Sequence, residues 1–150
     1  MLNLNIENIL LLLTGLINLI LLVIIGISSN KTKNTLFFLL FNGSVFGWVM
    51  SVALFKMLDS SNVLMESIPQ IIYIFAAIIP LSLVLFIETF PNKKITLNIT
   101  QLFFACIVPI TIVASCAIPG VIIKGFTDGL DGVRQIQFGY LYTYYSIYIV

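Results

Sequence analysis

Residues 9–27, ILLLLTGLINLILLVIIGI, form one long apolar run whose breaks are Thr14, Asn18 and two glycines. A helix rises about 1.5 Å per residue, so about 20 apolar residues cross the hydrocarbon of a bilayer. The run therefore predicts a membrane-spanning helix. The leader MLNLNIEN holds a glutamate and lacks the positive charge of a secretory signal, so we expect this span to be retained.

Further apolar runs along the chain have the same character. They lie at about 35–55, 68–87 and 97–118, and another starts near 138 and continues to 150. The last run is too short to cross a bilayer, which needs about 20 residues, so we expect the natural protein to continue. The expected fold is an all-α, polytopic transmembrane bundle of four complete spans and the start of a fifth. Residues 1–150 then form the N-terminal part of one transmembrane domain.

The composition supports a membrane environment and limits the chemistry. Hydrophobic residues make up 60% of the chain and charged residues 9%, whereas soluble domains carry about 25% charged residues. The lipid bilayer is therefore the expected partner, and a net charge of +1 gives no reason to expect nucleic acid. There is no histidine, and the sequence shows no nucleophile–base pair, phosphate loop or metal cluster. We expect no catalytic residue, metal or cofactor in this segment.

Basic residues in the short loops predict the orientation. Lys31 and Lys33 follow the first span, and Lys93 and Lys94 follow the third, against three basic residues in the loops after the second and fourth spans. Cytoplasmic loops carry the excess of Lys and Arg. The narrow excess predicts that the N-terminus lies outside.

Pro80 and Trp48 are candidate ligand or packing residues. Pro80 falls in the middle of the third span, where it removes a backbone hydrogen bond and bends the helix. The freed carbonyl needs a partner in lipid, and Ser82 is close in sequence. Two interpretations stay open for the bend, a hinge facing a ligand or a static packing kink. Trp48 lies deep in the second span, where it lines a pocket or packs in the core.

Gly43 and Gly47 form a small-xxx-small pair in the second span. Such a pair allows another helix to approach closely. The partner is either a helix of the same chain or a second copy of the chain.

The start of the fifth run is rich in tyrosine. Tyr140 and its neighbours suit a membrane–water interface, where the ring is buried and the hydroxyl is wet. Tyr144 and Tyr148 lie one helical turn apart. They are candidates for a polar-aromatic pocket near the outer surface.

The loop at 120–137 contains two Asp-Gly pairs, Asp128-Gly129 and Asp131-Gly132, between apolar stretches. Asp-Gly between such stretches is a hairpin signal. A short β-hairpin that caps the bundle is therefore expected here. The pairs do not form a calcium loop, because the other ligands of such a loop are missing.

The order of these features resembles the N-terminal seven-transmembrane sensor region of bacterial membrane histidine kinases. The resemblance rests on Lys33-Asn34, Phe37, Trp48, Ile68-Pro69, Phe75, Pro80, Phe86, Phe90-Pro91, Gly139-Tyr140 and the tyrosines after them. It implies a bacterial plasma membrane, seven spans with the N-terminus outside, and a homodimer. It also implies a cytoplasmic output domain in the same polypeptide, with the phosphoacceptor histidine and ATP site downstream of the spans. Similar regions are coupled to other outputs, including diguanylate cyclases.

The expected function is a sensory input region that relays a stimulus to that output domain. A fragment of a transporter or channel is the alternative, and a scaffold without ligand is a third reading. Ion-coupled transporters usually need charge inside the membrane. The acid nearest to a span interior, Glu88, sits at the end of the third span, which favours the sensor.

Overall fold

The computed structural model describes residues 5–28, 32–58, 63–90, 97–128 and 134–149. Their elements are α1 (Ile6–Ser28), α2 (Lys33–Met57), a short 3₁₀-helix (Val63–Glu66), α3 (Ile68–Thr89), α4 (Ile99–Ala117), β1 (Ile123–Asp128), β2 (Arg134–Phe138) and α5 (Tyr142–Ile149). Four of the helices, α1 to α4, are long and apolar enough to cross a membrane. The chain is therefore a multi-pass membrane protein, as the sequence predicts.

Helix starts follow capping rules where a polar residue precedes an apolar run. The side chain of Thr32 accepts a hydrogen bond from the backbone N–H of Thr35 at the start of α2. Asn98 and Gln101 form a capping box at the start of α4. These contacts satisfy backbone N–H groups that have no partner inside the helix.

The four long helices pack in chain order. Helix α2 contacts α1 and α3, and α3 contacts α2 and α4. Helix α1 lies at the flank and contacts α2 through one stripe that includes Gly15 and Leu22. Only 6% of its apolar span is buried, so most of its surface is left to face lipid.

The start of α1, the end of α2 and the hairpin lie on one side of the bundle. The ammonium of Lys56, near the end of α2, is 2.8 Å from the carboxylate of Glu7, near the start of α1. Arg134, at the start of β2, donates a hydrogen bond to the carbonyl of Phe55. This arrangement matches spans that alternate in direction.

The predicted hairpin is confirmed, since β1 and β2 form an antiparallel pair between α4 and α5. The ladder runs from Asp128↔Arg134 to Ile123↔Phe138, with a bulge between Ile123 and Gly125. The Asp131-Gly132 pair and Gly129 lie outside the described residues. The role of the Asp-Gly pairs in the turn of the hairpin therefore stays a prediction.

The fifth helix begins at Tyr142, four residues later than the sequence suggested. Phe138 is the last residue of β2, because the hydrogen-bonded ladder continues to it. The backbone N–H of Gly139 then donates to the carbonyl of Ile122 at 2.8 Å, and that of Leu141 donates to Val121 at 3.0 Å. These bonds tie residues 139–141 to the end of the α4–β1 connection, and a turn at Tyr140 and Leu141 leads into helix α5.

Candidate functional site

The most distinctive site is a group of aromatic rings where α5 meets α3, here called the tyrosine cluster. Its members are Tyr73 of α3, Phe138 at the end of β2, and Tyr142, Tyr145 and Tyr148 of α5. The ring centres of Tyr73 and Tyr145 are 4.9 Å apart in an edge-on contact. Phe138 and Tyr142 stack with ring centres 3.7 Å apart. Such pairs add to the burial energy of the rings by about 0.5–1.5 kcal/mol.

Helical spacing explains which tyrosines enter the cluster. Tyr142, Tyr145 and Tyr148 follow one another at intervals of three residues and share the face of α5 that packs against α3 and α4. Tyr145 is buried, with 6% of its surface exposed. Tyr144 points away and keeps 69% of its surface exposed. The cluster therefore includes Tyr148, which the sequence singled out, and leaves Tyr144 outside.

Apolar residues from three elements form the floor of the tyrosine cluster. Cys116 and Ile112 of α4 and Ala77 of α3 are buried against it, together with Ile122 and Ile123 at the start of the hairpin. Cys116 and Ala77 have no exposed surface. The hairpin base, α3, α4 and α5 thus share one buried core.

A hydrogen bond joins this cluster to the backbone of α3 next to the proline. The hydroxyl of Tyr148 donates to the carbonyl of Ala77 at 2.9 Å. Pro80 lacks an N–H, so the carbonyl that loses its helical donor is that of Ala76. The hydroxyl of Tyr148 binds the adjacent carbonyl, that of Ala77, in the same turn.

The hydroxyl of Ser82 does not bind the carbonyl that loses its helical hydrogen bond at Pro80. Its hydroxyl has no exposed surface and lies 2.9 Å from the carbonyls of both Ile78 and Ile79. The carbonyl that would have bonded to an N–H at position 80 is that of Ala76. The buried hydroxyl of Ser82 therefore has hydrogen-bond partners, and both of them lie in the turn before Pro80.

The two glycines of α2 face different helices of the same chain. A Cβ atom at Gly47 would lie 2.5 Å from the ring of Phe75 in α3. A Cβ atom at Gly43 would lie 3.7 Å from Leu22 in α1, an ordinary contact. The close approach occurs at Gly47, where the missing side chain makes room for an aromatic ring.

Trp48 lies apart from these contacts. It keeps 39% of its surface exposed and belongs to neither of the buried clusters among the described residues. Of the residues singled out from the sequence, Tyr148 binds the carbonyl of Ala77, three residues before Pro80. Sequence reasoning missed Tyr73 and Arg134. Tyr73 is the one tyrosine in the apolar run of the third span. A single phenol among apolar residues is the sequence signal that could have identified it.

The tyrosine cluster consists of packed aromatic rings and apolar side chains. Within the described ranges, no group of three or more His, Cys, Asp or Glu side chains could hold a metal ion. The phenol rings pack against one another and against apolar side chains. Comparisons with known protein families, with curated proteins and with solved structures find no match for this chain.

Proposed function

We propose that this chain is the membrane-embedded sensory input region of a bacterial signal-transduction protein, a two-component histidine kinase. In this proposal it relays a stimulus from outside the cell to a cytoplasmic output domain of the same polypeptide, within a homodimer in the plasma membrane. The sequence resemblance motivates the class of protein. The observation that best supports a relay is the hydrogen bond from Tyr148 to Ala77 beside Pro80.

That hydrogen bond matters because α5 is joined to the hairpin at its start and to α3 near its end. The hairpin leads directly into α5 through Gly139, and Phe138 stacks on Tyr142. A displacement of the hairpin therefore reaches α5 without passing through a long loop. Tyr148 then connects α5 to the bend of α3. A ligand that binds one position of the hairpin better than another would shift the bend accordingly.

The distribution of charge in the long helices also supports a sensor. Glu7, Lys33, Lys56 and Glu88 are the charged residues of α1 to α4, and all lie within the first or last turn of their helix. Glu7 and Lys56 pair with each other at the rim. A transporter driven by protons or cations usually needs acidic or basic residues near the middle of the membrane, and α1 to α4 carry none there.

The proposal includes an N-terminus outside the cell. The positive-inside count favours this orientation, and the common side shared by the start of α1, the end of α2 and the hairpin is compatible with it. The hairpin then faces the cell exterior, where a stimulus arrives.

The class of function is tested by phosphorylation of the full-length protein in membrane vesicles. Vesicles are supplied with ATP labelled on the γ-phosphate, and the protein is probed for acid-labile, base-stable phosphate, which is typical of phosphohistidine. We expect ATP-dependent labelling of the protein itself. Absence of labelling, together with solute flux across the same vesicles, would favour the transporter reading and contradict the proposal.

A further inference from the structure

The first helix carries a polar amide deep within its apolar span. Asn18 lies near the middle of α1, about 15 Å or more from either end of the helix. The hydrocarbon of a bilayer supplies no hydrogen-bond donor or acceptor at this depth. An amide in such surroundings is unfavourable unless its polar atoms find partners within protein. We therefore looked for the partners of Asn18 in the structure.

The described part of the chain satisfies the amide of Asn18 in part. A side-chain amide has two N–H donors and one carbonyl acceptor. One N–H of Asn18 donates to the backbone carbonyl of Thr14 at 2.9 Å, and this is its one hydrogen bond to the described residues. The second N–H and the side-chain oxygen are left for a partner outside α1.

Helical spacing places Asn18 at the edge of the stripe through which α1 contacts α2. Gly15 and Leu22 belong to that stripe, and Asn18, between them in sequence, is half-buried. Thr14 and Leu21 lie one turn before and after Asn18, on its side away from the stripe, and both are exposed. These three residues, Thr14, Asn18 and Leu21, are here called the amide face. The amide face is open to a neighbouring helix.

A second copy of this chain is the partner that symmetry matches to the amide face. Two copies in one membrane share their orientation and depth, so a two-fold axis along the membrane normal brings Asn18 of each copy to the same level. An amide is both a donor and an acceptor, so it can pair with its own copy. Hydrogen bonds between asparagine side chains of neighbouring helices join helices within membranes.

We propose that the amide face of α1 is the contact between two copies of this chain, with their Asn18 side chains hydrogen-bonded across the two-fold axis. The exposure of α1 supports this contact, since only 6% of its apolar span is buried within one copy. The opposite side of α1, which includes Leu13, Leu16 and Ile20, is apolar and exposed and suits lipid. The expectation of a homodimer rests on the proposed function, and the amide face specifies where the two copies meet.

Disulfide formation between single cysteines tests this contact in native membranes. Leu21→Cys is compared with Ile20→Cys in the full-length protein, in a background free of other cysteines. Leu21 lies on the amide face, whereas Ile20 lies at nearly the same depth on the opposite side of α1 and is 49% exposed. After oxidation with copper phenanthroline, we expect a covalent dimer of Leu21→Cys. We expect about tenfold less dimer of Ile20→Cys, because a disulfide needs Cα atoms within about 7 Å.

The contribution of the amide is measured in the Leu21→Cys protein. Asn18→Leu removes every donor and acceptor of the side chain. We expect it to slow dimer formation about fivefold, which is the effect of a hydrogen bond between membrane helices. Asn18→Gln keeps an amide and is the matched control, in which we expect most of the cross-linking to remain.

Four results would overturn the proposal. Equal cross-linking at positions 20 and 21 would indicate random collisions, and absence of a dimer in Leu21→Cys would assign the amide face to another helix of the same polypeptide or to lipid. Undiminished cross-linking in Asn18→Leu, or equal losses in Asn18→Leu and Asn18→Gln, would show that the amide does not make the contact. Cross-linking requires no ATP, so loss of phosphorylation with intact cross-linking would contradict the proposed function alone.

Discussion

The phenolic oxygen of Tyr148 lies 2.9 Å from the carbonyl oxygen of Ala77, three residues before Pro80. This contact joins a helix that continues from the hairpin to the bend of a membrane-spanning helix. Ala77 has no exposed surface, so the carbonyl is shielded from water and depends on partners within the protein. In the proposed relay, this contact is the point where a movement of α5 would reach α3.

Replacement of Tyr148 by phenylalanine removes the hydroxyl and keeps the ring. We expect the free energy of unfolding to fall by about 1 kcal/mol, since the hydrogen bond between the Tyr148 hydroxyl and the backbone of α3 is lost. Thermal unfolding in detergent, followed by circular dichroism, measures the change. Tyr144→Phe is the control, because Tyr144 is 69% exposed; an equal loss in both variants would contradict a specific role for Tyr148.

The two glycines of α2 should respond differently to alanine. Gly47→Ala forces a methyl group against the ring of Phe75, at 2.5 Å, whereas Gly43→Ala makes an ordinary contact with Leu22 at 3.7 Å. We expect Gly47→Ala to be less stable than Gly43→Ala by about 1–3 kcal/mol, as for other overpacked cores. Unfolding in detergent measures the difference.

A second substitution identifies the cause of that loss. Phe75→Leu in the Gly47→Ala background shortens the side chain that the new methyl group meets, so part of the lost stability should return. If Gly43→Ala is the more damaging variant, or if Phe75→Leu brings no recovery, the close approach at Gly47 is not the cause.

Gly139 has no room for a side chain, because its neighbours are backbone atoms. A Cβ atom would lie 2.3 Å from the carbonyl oxygen of Val121, and backbone cannot rotate away as a side chain can. We expect Gly139→Ala to cost more than about 3 kcal/mol, at the severe end for a single substitution.

Gly26→Ala is the comparison for Gly139→Ala, since nothing lies within 4 Å of a Cβ atom there. Alanine also favours a helix over glycine by about 1 kcal/mol. Gly26→Ala should therefore be neutral or stabilising. Comparable losses in the two variants, measured by unfolding in detergent, would mean that crowding at Gly139 does not limit the fold.

The four long helices and the hairpin could be predicted because their signals are local. Apolar length identifies a span, and Asp-Gly pairs between apolar stretches identify a hairpin. The sequence predicts that the fifth helix begins near Phe138, because an apolar aromatic residue fits either a strand or a helix. The structure keeps it in β2, since its partner Ile123 lies across the ladder, and that pairing cannot be seen from one strand.

The candidate site was harder to predict because it depends on orientation. Tyr144 and Tyr148 lie one turn apart, but spacing does not reveal which face of a helix turns inward. In the structure the inward stripe contains Tyr145 and Tyr148. The contact made by Arg134 could not be predicted from the sequence, because its partner, the carbonyl of Phe55, is a backbone group 79 residues away in the chain.

The orientation of the chain is tested by single cysteines placed on opposite sides of the bundle. A cysteine at position 127, an exposed position of the hairpin, should react in intact cells with a maleimide that cannot cross the membrane. A cysteine at position 31 should react only after the cells are permeabilised. The background carries alanine at Cys106 and Cys116. Labelling of position 31 from outside would reverse the proposed orientation.

The central claim is that Tyr148 transmits the position of the hairpin to α3 and so to the output domain. The most direct test compares the rate of ATP-dependent phosphorylation of the full-length wild-type protein with the rates of Tyr148→Phe and Tyr144→Phe in membrane vesicles. Loss of a hydrogen bond that differs between two states by about 1.4 kcal/mol would change their ratio about tenfold. We expect a several-fold change in Tyr148→Phe and the wild-type rate in Tyr144→Phe. Wild-type rates in both variants would contradict the claim.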